Sequence, residues 1–243
     1  EGSFCREKIT LGFRRLSIID LEDGQQPMES ADGNLHIVFN GEIYDYKELR
    51  AELEAFGISF CTHSDTEVLI NTIQQYGEKA LDKLRGMFGF AVWNEKEQTL
   101  MLARDFFGIK PVYYAEIDGH FVFASEIKSI LAFPGYERKV NQKALEQYLS
   151  FQYSPLEETF FRGIYKLMPG HMLLYKNGNY EIKTYFKTKL TPDKWNRKTN
   201  MDQLRSQLAE ILKDSVKHHM LSDVEVGAFL SGGVDSGYLA SAS

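Results

Sequence analysis

Near the end of the chain, Ser231-Gly232-Gly233-Val234-Asp235-Ser236 follows the apolar residues Ala228-Phe229-Leu230 and leads into a helical start. A glycine-rich turn ahead of a helix gathers backbone N–H groups at the positive end of the helix dipole, and this binds anions. Two adjacent glycines let the main chain approach phosphate oxygens, and the Ser231 and Ser236 hydroxyls can donate to them. A carboxylate at Asp235 would repel an anion unless it holds Mg²⁺, which takes carboxylate and phosphate oxygens together. No Lys-Ser or Lys-Thr follows the glycines, so the loop is not of the common nucleoside-triphosphatase type. The plainer alternative is an ordinary strand-to-helix turn.

Three further polar clusters lie in the first third of the chain. They are Arg14-Arg15-Leu16-Ser17-Ile18-Ile19-Asp20, then Asn40-Gly41-Glu42-Ile43-Tyr44, then Ser64-Asp65-Thr66-Glu67. Together they carry what an α-amino acid with a side-chain amide would need. An arginine fork matches the α-carboxylate. A carboxylate such as Asp65 matches the ammonium. An Asn amide beside a Gly N–H can face the oxyanion that forms when the side-chain amide is attacked. Each cluster also has a purely structural reading. Asp65 or Ser64 could cap a helix, Asn40-Gly41 could be a turn, and Arg14 or Arg15 could be a surface ion-pair residue.

The elements that must position these groups follow from periodicity. Apolar, β-branched and aromatic runs predict strands at 9–19, 35–39, 87–93, 100–103, 112–116 and 121–124. Asp118-Gly119 reads as a hairpin turn between the last two. A second pair of strands, 171–175 and 180–185, flanks Asn177-Gly178. Helical spacing predicts helices at 46–56, 66–76 and 142–151, the last starting from Asn141 as N-cap. Residues 187–200 are polar and basic, contain Pro192 and lack periodicity, so they read as a linker. A helix over 201–220 and a buried strand over 224–230 then lead into the glycine-rich loop. The expected organisation is a mixed α+β domain over 1–190, a linker over 191–200, and the beginning of an α/β domain over 201–243.

Composition sets bounds on function. The chain has 243 residues, 43% hydrophobic and 26% charged, with a formal net charge of −6. The acidic balance and the lack of a basic run argue against nucleic-acid binding. No apolar stretch approaches the ~20 residues that span a bilayer, which argues against a membrane role. Two cysteines, Cys5 and Cys61, do not make a disulfide framework, and a reducing, cytoplasmic setting is expected. Residues are expected both before Glu1 and after Ser243.

The strings Leu11–Asp20, Gly24-Gln25-Gln26-Pro27-Met28 and Phe39-Asn40-Gly41-Glu42-Ile43-Tyr44 resemble glutamine-hydrolysing asparagine synthetase. So do Ser64–Glu67, Gly86-Met87-Phe88-Gly89-Phe90-Ala91, Ala103-Arg104-Asp105 and Gly108-Ile109-Lys110-Pro111, and the closing loop. The resemblance is collinear over nearly the whole chain, with Phe13, Asp45 and Gly237 as departures. It implies a four-layer α/β/β/α glutaminase of the N-terminal-nucleophile type, followed by the beginning of an ATP-pyrophosphatase domain. It further implies that Arg15, Ile18, Ile19, Glu42 and Asp65 bind glutamine and that Asn40 and Gly41 form the oxyanion hole. The nucleophilic cysteine is expected upstream of Glu1, and Cys5 does not fill its place. Ammonia released from glutamine would pass through an internal tunnel to aspartate activated as β-aspartyl-AMP. Leu230 would lie near the adenosine, Ser231, Gly232, Gly233, Val234, Asp235 and Ser236 would hold ATP, and Asp235 would bind Mg²⁺. Glutamine, aspartate and ATP are the implied partners, and the resemblance also admits a homodimer. Two alternatives stand beside this reading: another carboxylate acceptor, such as a peptidoglycan or small-peptide group, and a glutamine-binding module without a nucleophile.

Overall fold

The structure is a computed structural model describing residues 1–14, 24–189, 200–222 and 225–242. The first strands, β1 (Gly2–Cys5) and β2 (Thr10–Phe13), form a hairpin. They are followed by β3 (Met28–Glu29), β4 (Leu35–Ile43), α1 (Tyr46–Ala55) and α2 (Asp65–Tyr76). A 3-10 turn over Gly77–Lys83 leads to β5 (Gly86–Asn94), β6 (Thr99–Arg104), β7 (Tyr113–Ile117) and β8 (His120–Ala124). Then come α3 (Ile127–Leu131), α4 (Gln142–Phe151), β9 (Ile164–Lys166), β10 (His171–Lys176) and β11 (Asn179–Thr184). Helices α5 (Met201–His219) and α6 (Val234–Ala242) complete the described chain.

The strands form a six-stranded sheet in the order β11-β10-β6-β5-β4-β3 and a three-stranded sheet in the order β8-β7-β9, besides the β1-β2 hairpin. Alternation along the strands sorts side chains to the two faces of the larger sheet. Phe88, Phe90 and Val92 of β5, with Ile37 and Phe39 of β4, pack under Leu49 and Leu53 of α1 and Val68, Leu69 and Ile73 of α2. The intervening residues Ala91 and Trp93, with Leu100 and Leu102 of β6, face Leu11, Tyr114, Phe121 and Tyr165 across the gap between sheets. On the far side of the small sheet, Ala115, Ile117 and Ile164 pack against Ile130 of α3. The layers therefore run helix, sheet, sheet, helix, as the resemblance implies.

Local chemistry explains the element ends. Asp118 and Gly119 both adopt positive φ, 48° and 79°, which gives β7 and β8 a two-residue turn of the twist a hairpin needs. Asn141 caps α4, its side chain accepting from Ala144 N. Two expectations need correction. Residues 225–230, expected to end a buried strand, carry no strand assignment and are exposed. A strand exists only by pairing, and no described segment pairs with this run. The stripe on α5 is likewise uncovered: Leu204, Leu208 and Ile211 are exposed and the helix buries no residue. Residue 224 and 190–199, most of the expected linker, lie outside the described residues.

Candidate active site

Strand β4 carries the first group of candidates. Its odd residues Leu35, Ile37 and Phe39 enter the core under the helices. Alternation therefore turns Asn40 and Glu42 to the opposite face, toward the gap between the sheets. Asn40-Gly41 is not a turn, and it does not follow the strand. Both residues lie within β4, where Asn40 pairs with Gly89 and Gly41 with Phe88 of β5. Gly41 has φ of 157° and lies so close to β5 that a Cβ there would sit 2.0 Å from the Met87 carbonyl oxygen. No residue with a side chain fits without moving β5, so the backbone here is held close by packing.

The second group is the amino end of α2. Ser64 is the cap: its hydroxyl accepts from Thr66 N at 3.1 Å. That assigns Asp65 to the first helical turn, where the helix dipole favours a negative charge. Asp65 is 3% exposed, and its Oδ2 accepts from the Ile43 backbone N at 3.1 Å. The bond fixes the α2 terminus against the end of β4, which brings Asp65 next to the Asn40–Glu42 segment. Gln26 ties the same two elements together. Its Oε1 accepts from Phe39 N at 2.6 Å, and its Nε2 donates to Thr66 Oγ1 at 3.1 Å.

Behind the strand, Asp105 organises the loop that leaves β6. Its buried carboxylate accepts from four backbone N–H groups, those of Phe88, Phe107, Ile109 and Lys110, at 2.9–3.2 Å. Arg104 braces the other side of the loop by donating to the carbonyls of Lys110, Leu167 and Gly108. The register aligns Asn40, Gly89 and Arg104 across three neighbouring strands. The Asp105 loop is therefore the wall beside the Asn40–Glu42 segment, and Lys110 on that loop acts on Glu42. Glu42 itself is 7% exposed. Burial pushes its carboxyl above the ordinary value, and Lys110 and His219 oppose the rise. Tyr44 is held by burial and by the Glu42 and Asp105 charges at a pKa of about 12, and its hydroxyl has no hydrogen-bond partner among the described residues.

The sequence strings contained Gln26, Tyr44, Arg104, Asp105 and Lys110, but residue type alone did not disclose their parts. A glutamine before proline and an Arg-Asp pair after a strand were the available signals. Arg15, Ile18 and Ile19 lie outside the described residues. The free cysteines are both exposed. Phe4, which precedes Cys5, stacks on His36 at 3.8 Å. His36 is four residues up β4 from Asn40, roughly 13 Å at the strand rise.

The glycine-rich loop is a separate site. Gly232 has φ of 79°, in the left-handed region that glycine accepts. The Ser231 and Ser236 hydroxyls meet at 2.9 Å, and Ser236 Oγ also donates to the Gly233 carbonyl at 3.1 Å. Helix α6 begins at Val234, putting Asp235 in its first turn, exposed to solvent. Leu230 and Val234 are exposed beside it. No group of three His, Cys, Asp or Glu able to hold a metal occurs among the described residues. A single exposed carboxylate fits Mg²⁺ that brings its remaining ligands as phosphate oxygens and water.

Residues 1–186 match the family described as "Glutamine amidotransferase domain". The chain belongs to that family. Within the amidotransferase domain lie all the β4, α2 and Asp105-loop residues described above. Residues 207–242 match a second family, "Asparagine synthase". Glutamine-hydrolyzing asparagine synthetase 1 of Bacillus subtilis is 46% identical over 242 residues, covering 99% of this chain and 38% of that protein. Amidase chry2 of Gibberella zeae is 37% identical over 96% of this chain and 34% of its own length. A solved structure of the allosteric regulatory enzyme of purine biosynthesis is 21% identical, with a TM-score of 0.48, over 82% of this chain and 41% of that one. The chain thus spans well under half the length of these relatives.

Proposed function

We propose that this chain is the glutamine-hydrolysing part of an ATP-dependent asparagine synthetase, joined to the first elements of its ATP-binding domain. One observation carries the reading. Asn40, Gly41 and Glu42 on β4 are fastened to Asp65 on α2 by the Asp65–Ile43 bond, in the same chain as a glycine-rich anion loop.

In this reading the Asp65 carboxylate holds the α-ammonium of glutamine. The Arg15 guanidinium holds its α-carboxylate as a two-point fork, with the Ile18 and Ile19 backbones alongside. The side-chain carbonyl then lies between the Asn40 amide and the Gly41 N–H, with Glu42 beside it. Attack by a cysteine thiolate from outside residues 1–243 forms a C–S bond and drives charge onto the carbonyl oxygen. Asn40 and Gly41 stabilise that oxyanion because both donors are already fixed by strand pairing, so nothing need reorganise as charge develops. Collapse of the adduct breaks the C–N bond as the leaving nitrogen takes up the proton lost by the thiol and departs as ammonia, and water then hydrolyses the glutamyl thioester to glutamate and returns the thiol.

At the second site the Ser231 and Ser236 hydroxyls and the N–H groups of Gly232, Gly233 and Val234 would grip the nucleotide phosphates, with Leu230 near the adenosine. Asp235 would hold Mg²⁺, which would neutralise phosphate charge. The acceptor is aspartate, activated as its β-adenylate with pyrophosphate leaving, and ammonia displaces AMP to give asparagine. The two cysteines, both free and exposed, favour a reducing, cytoplasmic setting.

The test is to supply the full-length protein with glutamine, ATP, Mg²⁺ and aspartate. Asparagine, AMP and pyrophosphate are expected in equal amounts, and folded protein that yields no asparagine overturns the reading. Release of pyrophosphate only with another carboxylate would move the acceptor and leave the glutaminase reading intact.

A further inference from the structure

The described contacts between α5 and the amidotransferase domain gather between Asp214 and His219, at the end of the helix, and they converge on the strand that carries the candidate oxyanion hole. Asp214 and His218 of α5 meet Arg85: Arg85 Nη2 donates to Asp214 Oδ2 and Nη1 approaches His218 Nε2 at 3.4 Å. At the next residue, the His219 ring lies against the Tyr44 ring with centroids 4.5 Å apart. These two contacts share an anchor. The Arg85 carbonyl accepts from Tyr44 N at 2.7 Å, and Arg85 N donates to the Asp45 carboxylate at 3.0 Å. Arg85 thus grips the end of β4 by its backbone and α5 by its side chain.

Both histidines are presented in a fixed orientation. His218 Nδ1 lies 2.7 Å from the Asp214 carbonyl, and His219 Nδ1 lies 2.8 Å from that of Ser215. A carbonyl only accepts, so each Nδ1 carries the proton. In the neutral ring this leaves His218 Nε2 as the acceptor that Arg85 meets. The two sides of this contact come from different families: Tyr44 and Arg85 from the amidotransferase match, Asp214, His218 and His219 from the asparagine synthase match. Helix α6, which starts inside the anion loop, packs beside α5.

We propose that the last turn of α5 is a clasp that sets the position of Glu42 and Asn40 on β4, so that the ATP-binding half controls the competence of the glutamine site. The residues are positioning residues, acting through Tyr44 and the end of β4 rather than touching substrate. The Arg85–Asp214 pair is close to half exposed on both sides, and an exposed ion pair contributes little by itself. The buried Tyr44 ring under His219 is therefore the stronger half of the clasp. The proposal rests on the glutaminase reading for its consequence, but not for its geometry.

The experiment uses the full-length protein with Arg85→Ala, His219→Ala, His219→Phe, and the exchange of Arg85→Asp with Asp214→Arg. Amide hydrogen exchange at 42–45 is expected to rise about threefold in Arg85→Ala and about tenfold in His219→Ala, with β10 and β11 unchanged. Glutamine-driven asparagine synthesis should fall at least about threefold in His219→Ala, while synthesis driven by added ammonia stays within about twofold. His219→Phe, which keeps the ring contact, and the charge exchange should restore both readouts toward the parent. Unchanged exchange at 42–45 in folded His219→Ala overturns the clasp, as does failure of His219→Phe to restore it. A parent protein that hydrolyses no glutamine overturns the functional reading alone, because the exchange measurement still decides the contact.

Discussion

Asn40 and Glu42 sit two residues apart on one face of β4 and meet opposite electrostatic demands. In the proposed mechanism Asn40 offers an amide donor where negative charge would develop. Replacing it with Ala should lower kcat for glutamine by about 10²–10³-fold, with KM little changed and ammonia-driven synthesis retained. Steady-state assays with the two nitrogen sources read this directly. Glu42 is a buried carboxyl whose pKa burial raises, against the pull of Lys110 and His219. A raised pKa makes the charged form unfavourable in the folded state. Stability from this group is complete below the ordinary value of 4.5 and declines as pH rises through the higher folded value. Glu42→Gln removes that decline. Thermal unfolding should therefore show the variant gaining on the parent as pH is raised from 4.5 toward neutrality, while glutamine hydrolysis falls.

At the scale of elements, the site depends on loops and termini that are bonded to the sheet. The Asp105 carboxylate satisfies four backbone N–H groups, one of β5 and three of the loop that leaves β6. Asp105→Ala leaves those donors without their acceptor and opens a buried space, at about 3 kcal/mol by the cost of unsatisfied buried groups. Denaturant unfolding should report that loss, together with a rise in KM for glutamine as the wall beside Glu42 loosens. Much of this scale was legible in the sequence. Asn141 marked the start of α4 because a side-chain acceptor before an apolar periodic run is a local signal. The Asp118-Gly119 and Asn177-Gly178 turns were legible because positive φ is a local property. Asn40-Gly41 was the misleading case. The same residue pair lies inside a strand, since pairing with Gly89 and Phe88 outweighs its turn preference.

At the scale of the whole molecule, the two sets of candidate residues are separated along the chain. The glutamine candidates lie on β4 and α2, and the anion loop precedes α6. Asp235→Asn should abolish ATP-dependent pyrophosphate release while glutamine hydrolysis without nucleotide stays within about threefold, because Asp235 stands outside the amidotransferase match. Parallel assays of pyrophosphate and glutamate check the separation. Loss of both activities in a folded variant would mean that the two sites are not divided in this way.

By itself the sequence marked the candidates: Ser231–Ser236 for an anion loop, and Arg15, Asn40, Gly41, Glu42 and Asp65 for an amino-acid constellation. It also determined most element boundaries, because caps, turns and apolar periodicity act within a few residues. Only the tertiary structure decided which oxygens and amides meet. The Asp65–Ile43, Gln26–Thr66 and Asp105–Phe88 bonds and the contact of His219 with Tyr44 join residues separated by 17 to 175 positions. The physical reason is that such contacts are set by strand register and layer packing, which no local signal encodes. The exposed run at 225–230 shows the same rule from the other side. Its residues favour a buried strand, but a strand forms only where another strand lies beside it.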